Sequence, residues 1–420
     1  MSQHVANLWW HREFRTLWIG ATISNFGSAI TSLALPMTAV VMLQASPAQM
    51  GILGAASTMP ALLFSLLIGV WVDRVRRRPL LIGADLGRAV LIGAVPLSAV
   101  AGMLRMEYLY VVSFLAGILT LVFDIASTSL LPHIVSREQL VEGNSKLVLS
   151  DSAASIAGPG VAGNLIALLT APLAMVVDAV SFLGSALCLS VIHPHEDTTA
   201  RAGPNASVWQ EIGEGVQWII KTAPLRAMTL SSGLGSLAIS MQQTVFILFV
   251  SRELGLAPTS VGIVLASSGV ASLLGAFLAD QVAKQRGPGP AIIWGTSLTC
   301  LSEGILPLTG GPVSIQMVLL IGAQCLRGIG SPIYNINQLS VRQMITPERV
   351  LGRVNASRRF IVFGISPIGA LLGGGLGELI GVRWTLVTAT AVMLIGLLYL
   401  VYSPLRTLRE PPLPMGPSTA

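Results

Sequence analysis

The chain has 420 residues, of which 53% are hydrophobic and only 10% are charged. Soluble chains carry about 25% charged residues, so this composition excludes an ordinary soluble protein and indicates a membrane protein with many spans. The net charge of +6 could suggest nucleic acid, but the basic residues fall in short turns between apolar runs and form no contiguous patch. We therefore expect no nucleic-acid partner.

Apolar windows long enough to cross a bilayer predict twelve transmembrane helices. They lie at about 17–43, 48–72, 80–102, 107–131, 145–169, 172–192, 227–250, 258–282, 291–309, 313–338, 354–380 and 382–403. An even number of spans places both termini on one side. Lys and Arg are concentrated in the turns on that side, so the positive-inside rule predicts that both termini are cytoplasmic.

The longest polar stretch, residues 193–226, lies near the midpoint of the sequence. It predicts a cytoplasmic linker between six-helix bundles at 1–192 and 227–403, followed by a cytoplasmic tail at 404–420. Within the linker, apolar residues recur at helical spacing over residues 208–220, which predicts an amphipathic helix on the inner leaflet.

Two short segments suggest that the halves arose by duplication. Ser136-Arg-Glu-Gln-Leu140 resembles Thr346-Pro-Glu-Arg-Val350, and both precede a span rich in glycine with a central proline. A duplicated six-helix unit is the usual way in which such proteins place a binding site between two halves. We expect an all-α fold of two six-helix bundles related by a pseudo-twofold axis.

A short basic hairpin separates the second and third predicted spans. Asp73 lies at the C-terminal end of the second span, where the helix dipole disfavours a carboxylate. Two interpretations are open. The hairpin is either a solvated turn whose arginines only set the topology, or a latch between the two halves. The residues of the latch interpretation are Gly69, Asp73, Arg74, Arg77 and Arg78.

The same five residues resemble the signature loop of the major facilitator superfamily, Gly-x-x-x-Asp-Arg-x-Gly-Arg-Arg. Arg76 stands where that signature has its second glycine, so the tight turn of the family is not expected here. The resemblance implies that Asp73 meets the cytoplasmic end of the eleventh span when the transporter faces outward.

The fifth predicted span also carries a motif. The segment from Ala154 to Gly163 resembles the antiporter signature of the exporters in this superfamily, with Gly158, Pro159 and Gly163 in matching positions. Proline bends a helix and small residues permit close packing. The motif is therefore either a hinge or seal in transport, or a packing face, and the two interpretations have equal weight.

Charged residues inside spans are informative because each costs about 2.5 to 3.5 kcal/mol at a helix centre. Asp85 and Arg88 are spaced to pair on one helix face, and Glu303 and Arg327 can pair between consecutive spans. Asp124 has no basic residue within reach on its own span. It is a candidate for proton coupling together with Asp151, or else a static member of a cytoplasmic charge cluster.

In the superfamily's architecture the first, fourth, seventh and tenth spans line a central cavity. The resemblance therefore implies a substrate path along polar residues of these spans: Ser24, Asn25, Asp124, Gln242, Gln243, Arg327 and Asn335. Arg358 and Arg359, at the start of the eleventh span, are expected to anchor it at the inner headgroups.

The sequence contains no enzyme signature, paired cysteine spacing or nucleotide loop, so we expect no catalytic residues, no metal and no cofactor. The segments at 23–28, 131–135 and 351–355 resemble bacterial macrolide and catecholate-siderophore exporters. This predicts a monomeric secondary transporter that exports small amphipathic compounds by proton antiport, with substrate, protons and lipids as its partners. An importer or lysophospholipid transporter of the same fold, and a scaffold or sensor without transport, are the alternatives.

Overall fold

The computed structural model describes residues 8–136, 139–192 and 208–408, except the side chains of a few of them, which include Asp73. This part of the chain folds into thirteen α-helices and contains no strand. The helices are α1 Arg12–Met37, α2 Pro47–Arg74, α3 Arg77–Val100, α4 Met106–Leu130, α5 Leu140–Leu169, α6 Ala171–Val191, α7 Val208–Lys221, α8 Ala223–Leu248, α9 Pro258–Arg286, α10 Pro288–Ile305, α11 Val313–Ile345, α12 Glu348–Ile380 and α13 Val382–Val401.

Twelve of these helices correspond to the twelve predicted spans. Eleven are long and apolar enough to cross a membrane. The remaining one, α2, has 28 residues, which exceeds the roughly 20 residues that a bilayer core requires. The predicted all-α fold with many spans is confirmed.

Several helices continue past the apolar windows into polar sequence. The windows predict that the fifth and eleventh spans begin at about 145 and 354, but α5 begins at Leu140 and α12 at Glu348. The end of α11 shifts in the same way, from about 338 to Ile345. A window records only residues that suit hydrocarbon, whereas the backbone hydrogen bonds of a helix continue into water.

The described chain divides into two compact units. The first contains Met1–Ala45, Ala56–Ala202 and Ala257–Ala266, and the second contains Ser46–Ala55, Gly203–Leu256 and Ser267–Ala420. Residues 46–55 at the start of α2 are grouped with the second unit, and residues 257–266 at the start of α9 with the first.

The same helix pairs recur inside each unit. In the first, α1 packs on α5 and α6, while α3 packs on α4 and α6; in the second, α8 packs on α12 and α13, while α10 packs on α11 and α13. A π-helical turn follows the first helix of each half, at Thr38–Met42 and at Phe249–Glu253. This correspondence supports the duplication that the sequence predicts.

The predicted linker helix is present as α7. Ile219 is buried, and a Cβ built on Gly215 would overlap the carbonyl oxygen of Arg353 and the hydroxyl of Ser357 on α12. The Arg353 guanidinium also forms an ion pair with Glu214. Because glycine lets the two backbones approach, α7 packs directly against α12.

A buried charge cluster joins helices of the first unit. Asp85 and Arg88 form the predicted ion pair on α3 and are both buried. The Arg88 guanidinium carbon lies 4.3 Å from the ring centroids of both Phe123 and Phe182. Asp178 on α6 is also buried and lies within electrostatic range of both groups of the pair. Arg88 therefore pairs directly with Asp85 between two aromatic rings, and its charge also offsets that of Asp178, whose carboxylate accepts from the hydroxyl of Ser181 at 3.2 Å.

This arrangement predicts an order of destabilisation. Arg88→Gln leaves two buried carboxylates without a cation and should lower the free energy of unfolding by about 3 kcal/mol. Asp85→Asn should cost less, because Asp178 still opposes the Arg88 charge. Unfolding in mixed micelles, followed by circular dichroism as SDS is added, measures both changes.

The control for this comparison is Asp280→Asn, which removes one partner of an exposed ion pair with Lys284. Exposed pairs contribute about 0 to 1 kcal/mol, so this variant should unfold almost as the wild type does. Equal losses for Arg88→Gln and Asp280→Asn would contradict the account of the cluster.

The α5 motif packs against two neighbouring helices in the first unit. A Cβ built on Gly158 would overlap the Cβ of Ala29 on α1. A Cβ built on Gly163 would lie 2.6 Å from the carbonyl oxygen of Pro258 and 3.0 Å from the Cα of Gly262, both at the start of α9. The small residues of the motif are thus required where backbones meet.

We expect Gly163→Ala to be less stable than Gly160→Ala by about 1 to 3 kcal/mol, because only the first substitution overpacks a backbone contact. A Cβ on Gly160 would meet its nearest neighbour, Ala266, at an ordinary 3.8 Å. Both substitutions remove a glycine from the same helix, so the gain in helix propensity cancels. The SDS titration described above measures the difference, and equal stability of the two variants would exclude a tight contact at Gly163.

Candidate transport site

Three polar side chains meet on α8, α10 and α11 of the second unit. Nη1 of Arg327 on α11 donates to Oε1 of Gln242 on α8 at 3.2 Å. The same Nη1 lies 4.0 Å from Oε1 of Glu303 on α10. Arg327 therefore bridges an amide and a carboxylate from two neighbouring helices. We call Gln242, Glu303 and Arg327 the polar triad.

The members of the polar triad differ in their access to the surroundings. Glu303 is 2% exposed and Gln242 is equally buried, whereas Arg327 is 22% exposed. Oε1 of Glu303 makes no hydrogen bond, because 4.0 Å is too long for one. The carboxylate is thus held near a cation by charge alone, and the cation remains partly accessible.

The sequence of α10 and α11 explains why the triad forms. Small residues flank Glu303 at positions 299, 300, 302 and 304 of α10, which favours the approach of a guanidinium from the next helix. The hydroxyl of Thr390 on α13 donates to the carbonyl oxygen of Glu303 at 3.0 Å and fixes this turn against a third helix. The pairing of Glu303 with Arg327 that the sequence suggests is confirmed.

The other predicted cavity residues are spread over their helices. Ser24 is buried on the face of α1 that also carries Gly20 and Gly27, and this face packs on α6. Gln243 and Asn335 are exposed. The amide of Asn335 donates to the hydroxyl of Ser331 on its own helix at 3.2 Å. Of the predicted substrate residues, the structure brings Gln242 and Arg327 together, and Asn25 is half-buried on α1.

The basic hairpin between α2 and α3 is anchored inside the first unit. Nε of Arg78 donates to the carbonyl oxygen of Leu189 at 3.1 Å, and its Nη2 donates to that of Ser190. Both carbonyls belong to the last turn of α6, where a cation offsets the negative end of the helix dipole. Arg78 therefore caps a helix in addition to any role in a latch.

The remaining hairpin residues are arranged less tightly. Arg74 is exposed and Arg77 is half-buried. A Cβ built on Gly69 meets no atom within 4 Å, and the part of Gly69 in a latch stays a prediction. The side chain of Asp73 lies outside the described residues, and its role stays a prediction.

The two carboxylates predicted to couple protons are both exposed. Asp124 lies on α4, where its carbonyl oxygen accepts from the hydroxyl of Ser127 at 3.1 Å, and Asp151 lies on α5. Neither is a member of the polar triad. Among the described residues there is also no group of three or more His, Cys, Asp or Glu that could hold a metal ion.

Sequence reasoning missed two buried charged residues, Asp178 on α6 and Arg342 on α11. A single charge inside an apolar window is the signal that could have found Asp178. Arg358 was expected to lie at the headgroups, but it is half-buried and its Nη2 donates to the hydroxyl of Ser232 on α8 at 3.0 Å. Adjacent residues of an α-helix point in directions about 100° apart, so Arg358 can face the helix bundle while Arg359 remains exposed.

Comparison with known proteins agrees with this fold. The transmembrane secretion effector family matches residues 6–414. The multidrug efflux pump Tap of Mycolicibacterium fortuitum is 28% identical over 89% of this chain and 91% of its own length. Macrolide efflux protein A of Streptococcus pyogenes is 24% identical over 95% of this chain and 98% of its own.

A solved structure shares the fold at lower identity. It is a bacterial homologue of the iron transporter ferroportin in an inward-facing state, with a TM-score of 0.75, 18% identity, and coverage of 93% of this chain and 98% of that one. The relatives that match along almost the whole chain are transporters, so this protein is a transporter and not an enzyme. The chain belongs to the transmembrane secretion effector family, within the major facilitator superfamily.

Proposed function

We propose that this protein exports small amphipathic compounds across a bacterial inner membrane by exchange for protons. The relatives that support export are named for multidrug and macrolide efflux. The siderophore-like part of the proposed substrate range comes from the resemblance in sequence. In this proposal the protein acts as a monomer with both termini in the cytoplasm, and alternating access arises from rocking of residues 1–192 against residues 227–403.

The observation that carries proton exchange is the buried carboxylate of the polar triad. A charged group in the middle of a membrane protein needs a partner or a proton. The cation that faces Glu303 is Arg327, which also donates a hydrogen bond to Gln242 and is partly exposed. A substrate that donates hydrogen bonds or a positive charge to the Glu303 carboxylate favours its ionised form, so the proton is released on the side where the substrate binds. A proton that returns to Glu303 from the other side removes this attraction and favours release of the substrate, so the two are exchanged.

The exposed carboxylates Asp124 and Asp151 stay candidates for the same role. Asp124 is a candidate because of its depth in α4. Burial favours Glu303, because desolvation favours the neutral form of a buried carboxylate. All three positions are therefore included in the tests of coupling.

Export itself is tested in everted membrane vesicles, whose lumen corresponds to the outside of the cell. With an acidic lumen, we expect accumulation of at least one compound from a panel of macrolides, siderophores, fluorescent cations and lysolipids. Nigericin, which collapses the pH gradient, should abolish the accumulation. Accumulation only in right-side-out vesicles would indicate an importer, and no gradient-dependent flux of any compound would indicate a protein without transport.

Glu303→Gln mimics a permanently protonated carboxylate. We expect this variant to retain downhill flux of the accumulated compound but to lose accumulation driven by the pH gradient, down to the level seen with nigericin. Asp124→Asn and Asp151→Asn are measured in parallel, since loss of coupling in either would move the proton site to that residue. Glu107→Gln, at an exposed position in the first turn of α4, is the matched control and should accumulate as wild type does.

A further inference from the structure

Two arginines with little access to solvent lie on α11 and α12 in the second unit. Arg342 belongs to the last turn of α11 and is 8% exposed. Arg358 lies further along α12 and is half-buried. Arg342 lies within electrostatic range of the like charge on Arg358. No ion pair joins either of them within the part of the chain that the structure describes.

Two hydroxyl groups connect Arg358 to α11, the helix that carries Arg342. Nη2 of Arg358 donates to the hydroxyl of Ser232 on α8 at 3.0 Å, and this hydroxyl is also hydrogen-bonded to that of Tyr334 on α11. Tyr334, Gln338 and Arg342 are spaced four residues apart and so lie on one face of α11. The face that carries Arg342 is therefore the face that meets Ser232 and Arg358.

Several hydrogen-bond donors of this group have no acceptor. Nε and Nη1 of Arg342, Nε of Arg358 and Nε2 of Gln338 are buried and make no hydrogen bond. Gln338 is 2% exposed. Buried donors are almost always paired in folded proteins, and two like charges without a counter-ion are costly in a low-dielectric interior. Four unpaired donors on neighbouring side chains therefore point to an acceptor that the polypeptide does not supply.

We propose that Arg342, Arg358 and Gln338 form a binding site for a phosphate group. Phosphate accepts many hydrogen bonds at once, and guanidinium forks match its oxygens. The junction of α11 and α12 lies at the predicted cytoplasmic end of these spans, where both a soluble phosphate-bearing compound and the headgroup of an anionic phospholipid could reach it. The site is separate from the polar triad, and its occupancy does not depend on proton exchange.

The proposal is tested by binding, in the purified full-length protein in nanodiscs of phosphatidylcholine. Inorganic phosphate is titrated at constant ionic strength and the heat of binding is recorded. We expect saturable binding to the wild type, and a loss of affinity of roughly tenfold or more in both Arg342→Gln and Arg358→Gln, because each removes charge-assisted hydrogen bonds. Arg359→Gln should bind as wild type, since Arg359 is exposed and only stacks on Phe363, 5.5 Å from the ring centroid.

A second arm tests the lipid source. The same four proteins are placed in nanodiscs with phosphatidylglycerol, and native mass spectrometry counts the lipid molecules that each retains. Loss of one retained phosphatidylglycerol in both Arg342→Gln and Arg358→Gln, but not in Arg359→Gln, assigns the site to lipid. Binding of inorganic phosphate alone assigns it to a soluble compound.

The proposal is overturned if the wild type binds neither probe, or if the three variants bind both probes as the wild type does. Removing an unpaired buried charge should not impair folding, and circular dichroism of each variant checks this directly. If Arg342→Gln does not fold, Arg358→Gln still decides the question. Failure here leaves the proposed export activity untouched, because no transport measurement enters the test.

Discussion

The cost of an unpaired charge inside a membrane governs where this protein places its ionisable side chains. Each charged group in a span must find a partner, a proton or water. In the first unit, Arg88 forms an ion pair with Asp85 between two aromatic rings and lies within electrostatic range of Asp178. In the second unit, Arg327 lies at a longer distance from Glu303 and also donates a hydrogen bond to Gln242. The same constraint therefore gives one enclosed cluster and one open one.

The difference between the two clusters fits a structural role for the first and the proposed transport role for the second. Arg88 is buried between the rings of Phe123 on α4 and Phe182 on α6, so its contacts connect α3, α4 and α6. Arg327 is partly exposed and its contact with Glu303 is not a hydrogen bond, so a ligand can approach this pair. A pair that can be broken at low cost is the kind of element that substrate binding can shift.

Much of the fold follows from hydropathy, because a helix that crosses hydrocarbon must be apolar over about 20 residues. The pairing of Asp85 with Arg88 follows as well, since it depends only on spacing within one helix. Contacts between helices were harder to foresee. The inward turn of Arg358, the buried position of Asp178 and the capping of α6 by Arg78 each depend on how helices are rotated, which a hydropathy profile does not report.

Proton exchange in this protein requires that Glu303 binds and releases a proton, and that Arg327 is its partner when Glu303 is ionised. The most direct measurement is the number of protons taken up or released when a transported compound binds the purified protein in weakly buffered solution. We expect a proton release of close to one per protein in the wild type and none in Glu303→Gln, with the compound still binding to both. Equal proton release from the two proteins would contradict the proposed exchange.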